Sequence, residues 1–229
     1  MDSAISTKRF ISFSGGVEST TMCILFGKGA KAIWCDTGAE HEKMYERMSN
    51  IEARLKELHS GDFELIRITP SVKVKGVFVD NLLDAVLGWR FMPSPINRYC
   101  TGKFKIEPID NFLSQQGECE LMIGLNADEE NSRSGNWGLK ANVKYTYPLQ
   151  EKGLTRADCE DVLKIHGMHP NFPAYMLRGG VQCVSTSLKK STRLCITWIE
   201  RSLTKWLYLK NPIRIKGKKY TALCRVGKH

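Results

Sequence analysis

Residues 10–21, Phe-Ile-Ser-Phe-Ser-Gly-Gly-Val-Glu-Ser-Thr-Thr, constrain this chain more than any other stretch. Phe10, Ile11 and Phe13 predict a short buried strand. Ser14, Gly15 and Gly16 form a turn with no bulky side chain, and from Val17 the residues Met22, Ile24, Leu25 and Phe26 give an apolar run suited to a packed helix. Strand, glycine turn and helix in that order aim unpaired backbone N–H groups at an anion. The helix dipole adds about 0.3–2 kcal/mol for a negative charge at that end. Ser14, Ser19 and Thr20 bring hydroxyls to the same point. An ordinary strand-to-helix turn also uses a Gly-Gly pair, and it is the longer pattern that points to phosphate. The stretch lacks both the Gly-Lys-Ser/Thr of a Walker loop and the GxGxxG of a dinucleotide loop.

The remaining strand and helix signals follow in order. Ala30–Cys35 predicts a second strand ending at Asp36-Thr37-Gly38, and His41–Leu58 a helix with Met44, Met48, Ile51 and Leu55 on one stripe. Phe63–Thr69 alternates as a third strand, Val79–Trp89 is expected to be helical, and Phe91–Asn97 is a proline-punctuated loop. The block Arg98–Pro108 gathers Arg98, Lys103 and Lys105 beside a thiol and the Thr101 hydroxyl, a set suited to phosphate or sulfate or else to a plain basic surface, and leads into a helix through Phe112. Glu120–Leu125 is a fourth strand, and the polar residues 126–138 are expected to form a mobile loop over the site. Thr155–Asp158 has the spacing of a helix start. Strand–helix units of this kind predict an α/β fold with a doubly wound, mostly parallel sheet, whose ligands lie beyond the carboxyl ends of the strands, where Ser14 and Asp36 fall.

A chain of 229 residues with 42% hydrophobic content can bury one sizeable domain plus an appendage. The division is expected at 1–186 and 187–229, because charge changes there. Residues 187–229 carry 12 Lys/Arg against Glu200 alone, a net +11, whereas residues 1–186 carry 22 Lys/Arg and 23 acids. Such asymmetry suits either a polyanionic partner, DNA or tRNA, or a solubilising tail. No apolar run approaches the roughly 20 residues of a membrane span, and the N-terminus is polar, so a soluble cytoplasmic protein without membrane contact is expected. The eight cysteines are scattered without a disulfide framework and are expected to be mostly reduced and buried. A homodimer is compatible with the sequence, which fixes no oligomeric state.

Ser-Gly-Gly-Val-Glu-Ser resembles the Ser-Gly-Gly-x-Asp-Ser signature of the PP-loop ATP pyrophosphatases, with Glu18 in place of the usual Asp. Further on come Asp36-Thr37-Gly38-Ala39-Glu40, Arg98-x-Cys100-Thr101 with Lys105 and Pro108, Gly124-x-x-Ala127-Asp128-Glu129 and Tyr147-Pro148-Leu149. This ordered set resembles the phosphoadenosine phosphosulfate (PAPS) reductase branch of that superfamily over roughly residues 9 to 200. The resemblance implies an adenine nucleotide alpha-hydrolase-like, Rossmann-type fold with ATP and Mg²⁺ as cofactors. It implies nucleotide binding by Ser14, Gly15, Gly16, Val17, Glu18, Ser19 and Thr20, by Asp36 and Thr37, and by Arg98 and Thr101. Ser14, Glu18, Ser19 and Lys105 are the candidate catalytic residues. Many relatives carry Arg where this chain has Asn126, and Arg133 is the candidate substitute.

The C-terminal third departs from that family. In several relatives a segment like Asn171–Cys183 carries paired cysteines for an iron–sulfur cluster, but Gly180 stands at one of those positions. Cys183 and Cys195 remain, with Cys159 or Cys224 as candidate companions, where a cubane cluster takes four thiolates, and a degenerated cluster site is expected. Cys224 stands where sulfonucleotide reductases place a nucleophilic thiol, without their flanking residues. His166-Gly-Met-His169 lacks the carboxylate of a zinc motif and reads as a helix end, so no metal ligand is assigned. Ser191–Leu209 predicts a helix, and Lys210–Tyr220 alternates like a hairpin or an arm whose lysines and Tyr220 suit a nucleic-acid backbone and base. The function expected first is cleavage of the α,β bond of ATP to adenylate a substrate, in sulfur transfer or nucleic-acid modification. The alternatives are a sulfonucleotide reductase and a non-catalytic nucleotide- or nucleic-acid-binding module.

Overall fold

Phe10 and Ile11 are adjacent in sequence and both buried, so the first strand is covered on both faces, as in the centre of a parallel sheet. The structure is a computed structural model that describes residues 7–40, 42–93, 96–129, 140–170, 213–215 and 218–220. Along the chain come β1 (Lys8–Ser12), α1 (Val17–Phe26), β2 (Lys31–Cys35), α2 (Glu42–Leu58) and β3 (Glu64–Ile68). A hairpin of β4 (Val72–Val74) and β5 (Val77–Val79) precedes α3 (Leu82–Trp89). One turn, α4 (Tyr99–Thr101), runs through a π-helical turn at Gly102–Ile106 into α5 (Glu107–Ser114). Then follow β6 (Cys119–Ile123), a 3₁₀ turn at Ala127–Glu129, β7 (Val143–Thr146), α6 (Pro148–Glu151) and α7 (Arg156–Ile165).

The sheet order is β3-β2-β1-β6-β7 with every pairing parallel. Strand order therefore reverses between β1 and β6, and in such sheets that switch point opens a crevice at the carboxyl ends of the strands. On one face Ile11, Trp34 and Met122 pack with residues of α1, α2 and α7. On the other, Phe10, Ile33, Leu121 and Ile123 pack against Leu113 of α5. The α2 stripe of Met44, Met48, Ile51 and Leu55 is buried as its spacing predicts, at roughly 1.5–3 kcal/mol of transfer free energy per side chain. The Thr155–Asp158 helix start is a capping box: the Thr155 side chain accepts from Asp158 N, and Thr155 N donates to the Asp158 carboxylate at 2.8 Å.

Two expectations are corrected. The helix expected over Val79–Trp89 starts at Leu82, because Val79 pairs with Val72 in the hairpin and Asn81 Oδ1 accepts from Asp84 N at 2.8 Å as the cap. The Arg98–Pro108 block is itself helical rather than a lead-in, and its wide turn buries Phe104 in a third cluster with Val72, Val74, Leu82, Ala85 and Val86. The five described cysteines, 23, 35, 100, 119 and 159, are buried thiols. Among the described residues no helix is long and apolar enough to cross a membrane. In the basic segment, β8 (Ile213–Ile215) and β9 (Lys218–Tyr220) pair antiparallel, as their alternation suggests. Arg133 with most of its loop, the Asn171–Cys183 segment, the Ser191–Leu209 helix, Cys183, Cys195 and Cys224 lie outside the described residues.

Candidate functional site

The loop after β1 is held open by its own side chains. Ser14 N donates to Ser19 Oγ at 3.2 Å, the two serine hydroxyls are 3.1 Å apart, and Thr20 Oγ1 donates to Gly16 O at 2.7 Å. The first bond of the α1 ladder is Thr20 N to Gly16 O at 3.0 Å, and Gly16, the N-cap, is extended and makes no side-chain cap bond. Val17, Glu18 and Ser19 thus present helix-terminal N–H groups that have no intrahelical acceptor. Gly15 turns the chain at φ +71°, and a Cβ there would meet Met44 Cε and Met48 Sδ at 2.7 Å. From below, Arg47 Nε of α2 donates to Gly15 O at 2.9 Å, and burial pulls that guanidinium down to about 10.

Across the switch point the β6 end comes close. A Cβ on Gly124 would lie 3.2 Å from Ser19 N, a tight contact with the α1 backbone that glycine avoids. Glu18 points into a network there: Arg156 Nη1 is 2.5 Å and Asn126 Nδ2 3.1 Å from its Oε1. Arg156 also bonds Glu160 through Nε, and its backbone N–H donates to Asp128. Glu18, Asn126 and Asp128 are thereby tied to the start of α7.

At the carboxyl end of β2, Asp36 Oδ1 accepts from Gly38 N and from Tyr45 Oη, each at 2.9 Å. Thr37 is buried and donates to Glu40 Oε1 at 3.2 Å. Lys105 Nζ, on the π-helical turn, lies 3.0 Å from the same oxygen. The Glu40 side chain is 1% exposed, and its Oε2 has no partner among the described residues. Cys35 Sγ donates to Phe104 O, and burial, eased in part by Lys105, raises that thiol to about 12. Lys103 turns away to Glu107, and Arg98 is exposed at the start of α4, with its carbonyl accepting from Thr101 N. The structure brings Ser14–Thr20 together as one loop and sets Asp36, Thr37 and Lys105 at a second strand end of the same sheet.

Three side chains at this site carry no role in the sequence reading. Glu40 closes the Asp36–Glu40 block, but its ion pair with Lys105 spans 65 positions and leaves no local trace. Arg47 sits one place before Met48, where a charged residue beside a buried stripe is the available signal. Arg156 reaches Glu18 across 138 positions.

The family model described as "Phosphoadenosine phosphosulfate reductase domain" matches residues 8–137. Among solved structures, the phosphoadenylyl-sulfate (PAPS) reductase from Candida auris, a phosphate complex, is similar at 13% identity and a TM-score of 0.48, covering 71% of this chain and 74% of that one. No curated protein matches the chain.

Proposed function

Since the chain belongs to the phosphoadenosine phosphosulfate reductase domain family, we propose that it binds an adenine nucleotide with the phosphates at the N-terminus of α1 and cleaves the α,β bond of ATP. The observation that carries this reading is the helix end, where glycine at the N-cap, Gly16, brings no capping side chain and exposed Ser14 sets its hydroxyl 3.1 Å from that of Ser19. An acceptor's lone pair attacks the α-phosphorus, the bond to the bridging oxygen breaks, and pyrophosphate leaves with that electron pair while AMP stays on the acceptor. The N–H groups of Val17, Glu18 and Ser19 stabilise the departing charge, which is electrostatic catalysis by preorganised donors. Lys105, steadied by Glu40, adds a cation at the β2 end of the site. Mg²⁺ carried by the triphosphate would supply charge neutralisation there.

Incubation with α-labelled ATP, Mg²⁺ and candidate acceptors tests this, read as AMP and pyrophosphate against ADP and phosphate. ADP would contradict it. The family match also favours a second reading, reduction of a sulfonucleotide, which needs a nucleophilic thiol. Burial raises the thiols at Cys23, Cys35, Cys119 and Cys159, and Cys224 is the thiol whose place near the C-terminus suits this reading. Loss of thioredoxin-dependent sulfite release in Cys224→Ser would put it first. The basic segment 187–229 is proposed as a DNA or tRNA contact, and unchanged salt-sensitive binding after deletion of residues 210–229 would remove those residues from that role.

A further inference from the structure

Glu18 stands on one lip of the switch-point crevice and Asn126 on the other. The first belongs to α1, which follows β1, and the second lies just past the carboxyl end of β6, the strand paired with β1. Two donors meet on one oxygen of the Glu18 carboxylate, Asn126 Nδ2 at 3.1 Å and Arg156 Nη1 at 2.5 Å. A carboxylate only accepts, so the Asn126 amide turns its nitrogen to Glu18, and its Oδ1 is buried without a partner among the described residues. Asn126 brings no charge to Glu18. Of the two side chains bonded to that carboxylate among the described residues, Arg156 alone is a cation.

Arg156, the first residue of α7, is itself held from several sides. Its backbone N–H donates to Asp128 at 2.8 Å and its Nε to Glu160 at 2.9 Å. The segment before it is tied to the β6 lip, with Ala127 N on Leu154 O at 2.8 Å and Gln150 Nε2 on Asn126 O at 3.3 Å. Asp158, the other acid of that first turn, is occupied by the Thr155 cap. Glu18 lies in the first turn of α1, beside the N–H groups that face an anion, and its side chain is 17% exposed, so water screens it poorly. An unpaired carboxylate there would repel a phosphate seated on the neighbouring N–H groups, and a guanidinium in direct contact offsets that repulsion. We propose that Arg156 is a positioning residue of the nucleotide site: acting through Glu18 rather than on the ligand, it neutralises that carboxylate and draws it to the β6 lip, leaving the α1 terminus to a di- or triphosphate. The proposal rests on the reading that phosphates sit at that terminus, and it makes their binding depend on a residue 138 positions away.

The test uses the full chain with inorganic pyrophosphate as the probe, its affinity read by isothermal titration calorimetry, and a ligand-free thermal melt to establish that each variant folds. Arg156→Ala is expected to bind pyrophosphate about tenfold more weakly than wild type. Arg156→Lys, which keeps the charge, should stay within about threefold of wild type. Glu18→Gln, which keeps the shape and removes the charge, should bind at least as tightly as wild type. Combined with Arg156→Ala, it should restore affinity to within about threefold. An arginine that served only as a structural tie would leave the double variant as weak as Arg156→Ala. The proposal is overturned if Arg156→Ala binds as wild type, if Arg156→Lys is as weak as Arg156→Ala, or if the double variant is not restored. Should Arg156→Ala fail to fold, Glu18→Gln decides alone: equal or tighter binding supports the proposal, and binding about tenfold weaker overturns it. A wild type that binds no pyrophosphate overturns this proposal and the nucleotide reading together, whereas the variant outcomes overturn this one alone.

Discussion

Glu40 and Lys105 are the pair on which the β2 end of the site depends. The carboxylate is buried, with one oxygen shared by Thr37 and Lys105 and the other without a partner among the described residues. Removing the cation alone would leave a buried charge uncompensated, so Lys105→Met is expected to destabilise the fold by about 3–5 kcal/mol. Lys105→Met combined with Glu40→Gln should recover most of that loss, and a double-mutant cycle in urea melts measures it. The thiols give a second test. Burial raises Cys159 to about 11 and Cys35 to about 12, against an ordinary 9.0 for each. Both are therefore protonated and slow to alkylate at pH 8 in the native protein, and become reactive on unfolding. A thiol whose folded pKa is raised contributes stability that is complete below its unfolded value and lost as pH climbs through the folded one. Stability should accordingly decline from about pH 9 towards pH 12, as thermal melts across that range would record.

At the scale of elements, the loop and α1 stand on positions where a methyl group does not fit. Gly15→Ala is strained by about 1–2 kcal/mol at φ +71° and pushes on two methionines besides. It should lower the melting temperature and abolish stabilisation by inorganic pyrophosphate. Arg156→Ala removes the ion pairs to Glu18 and Glu160, both partly exposed, and is expected to cost about 1 kcal/mol, or about 2–4 °C in a chain of this size. These elements were unequally legible. The Met44–Leu55 stripe and the Thr155–Asp158 cap are written at fixed short spacings and needed no tertiary information. The hairpin was overlooked although Lys75-Gly76 is a turn signal, because the apolar run Val77–Val79 joined smoothly onto the helix behind it. Asn81, with Asp84 three residues on, was the cue that separates them. A π-helical turn has no periodic signature, so the helical nature of Gly102–Ile106 could not be read from the sequence.

Across the whole molecule, the parallel order β3-β2-β1-β6-β7 brings Gly124 of one strand end against the loop of another. Alternating strand and helix signals sufficed for the fold class, but Arg156 and Asn126 on Glu18 depend on contacts more than 100 residues apart. Among the described residues the three apolar clusters fall between residues 10 and 168. On the charge division at residue 187, a chain ending at residue 186 is expected to keep the proposed ATP-induced stabilisation, about 2.7 kcal/mol at a hundredfold excess over Kd, in a thermal-shift assay.

Met44 and Met48 form the floor beneath Gly15, each with an atom in the space a side chain there would need. Oxygen added to the Met48 sulfur would press on that floor from inside the body. Since both methionines are fully buried, peroxide should reach them only as the body opens, and pyrophosphate capture and native structure should be lost together across a peroxide series read by binding and thermal melts.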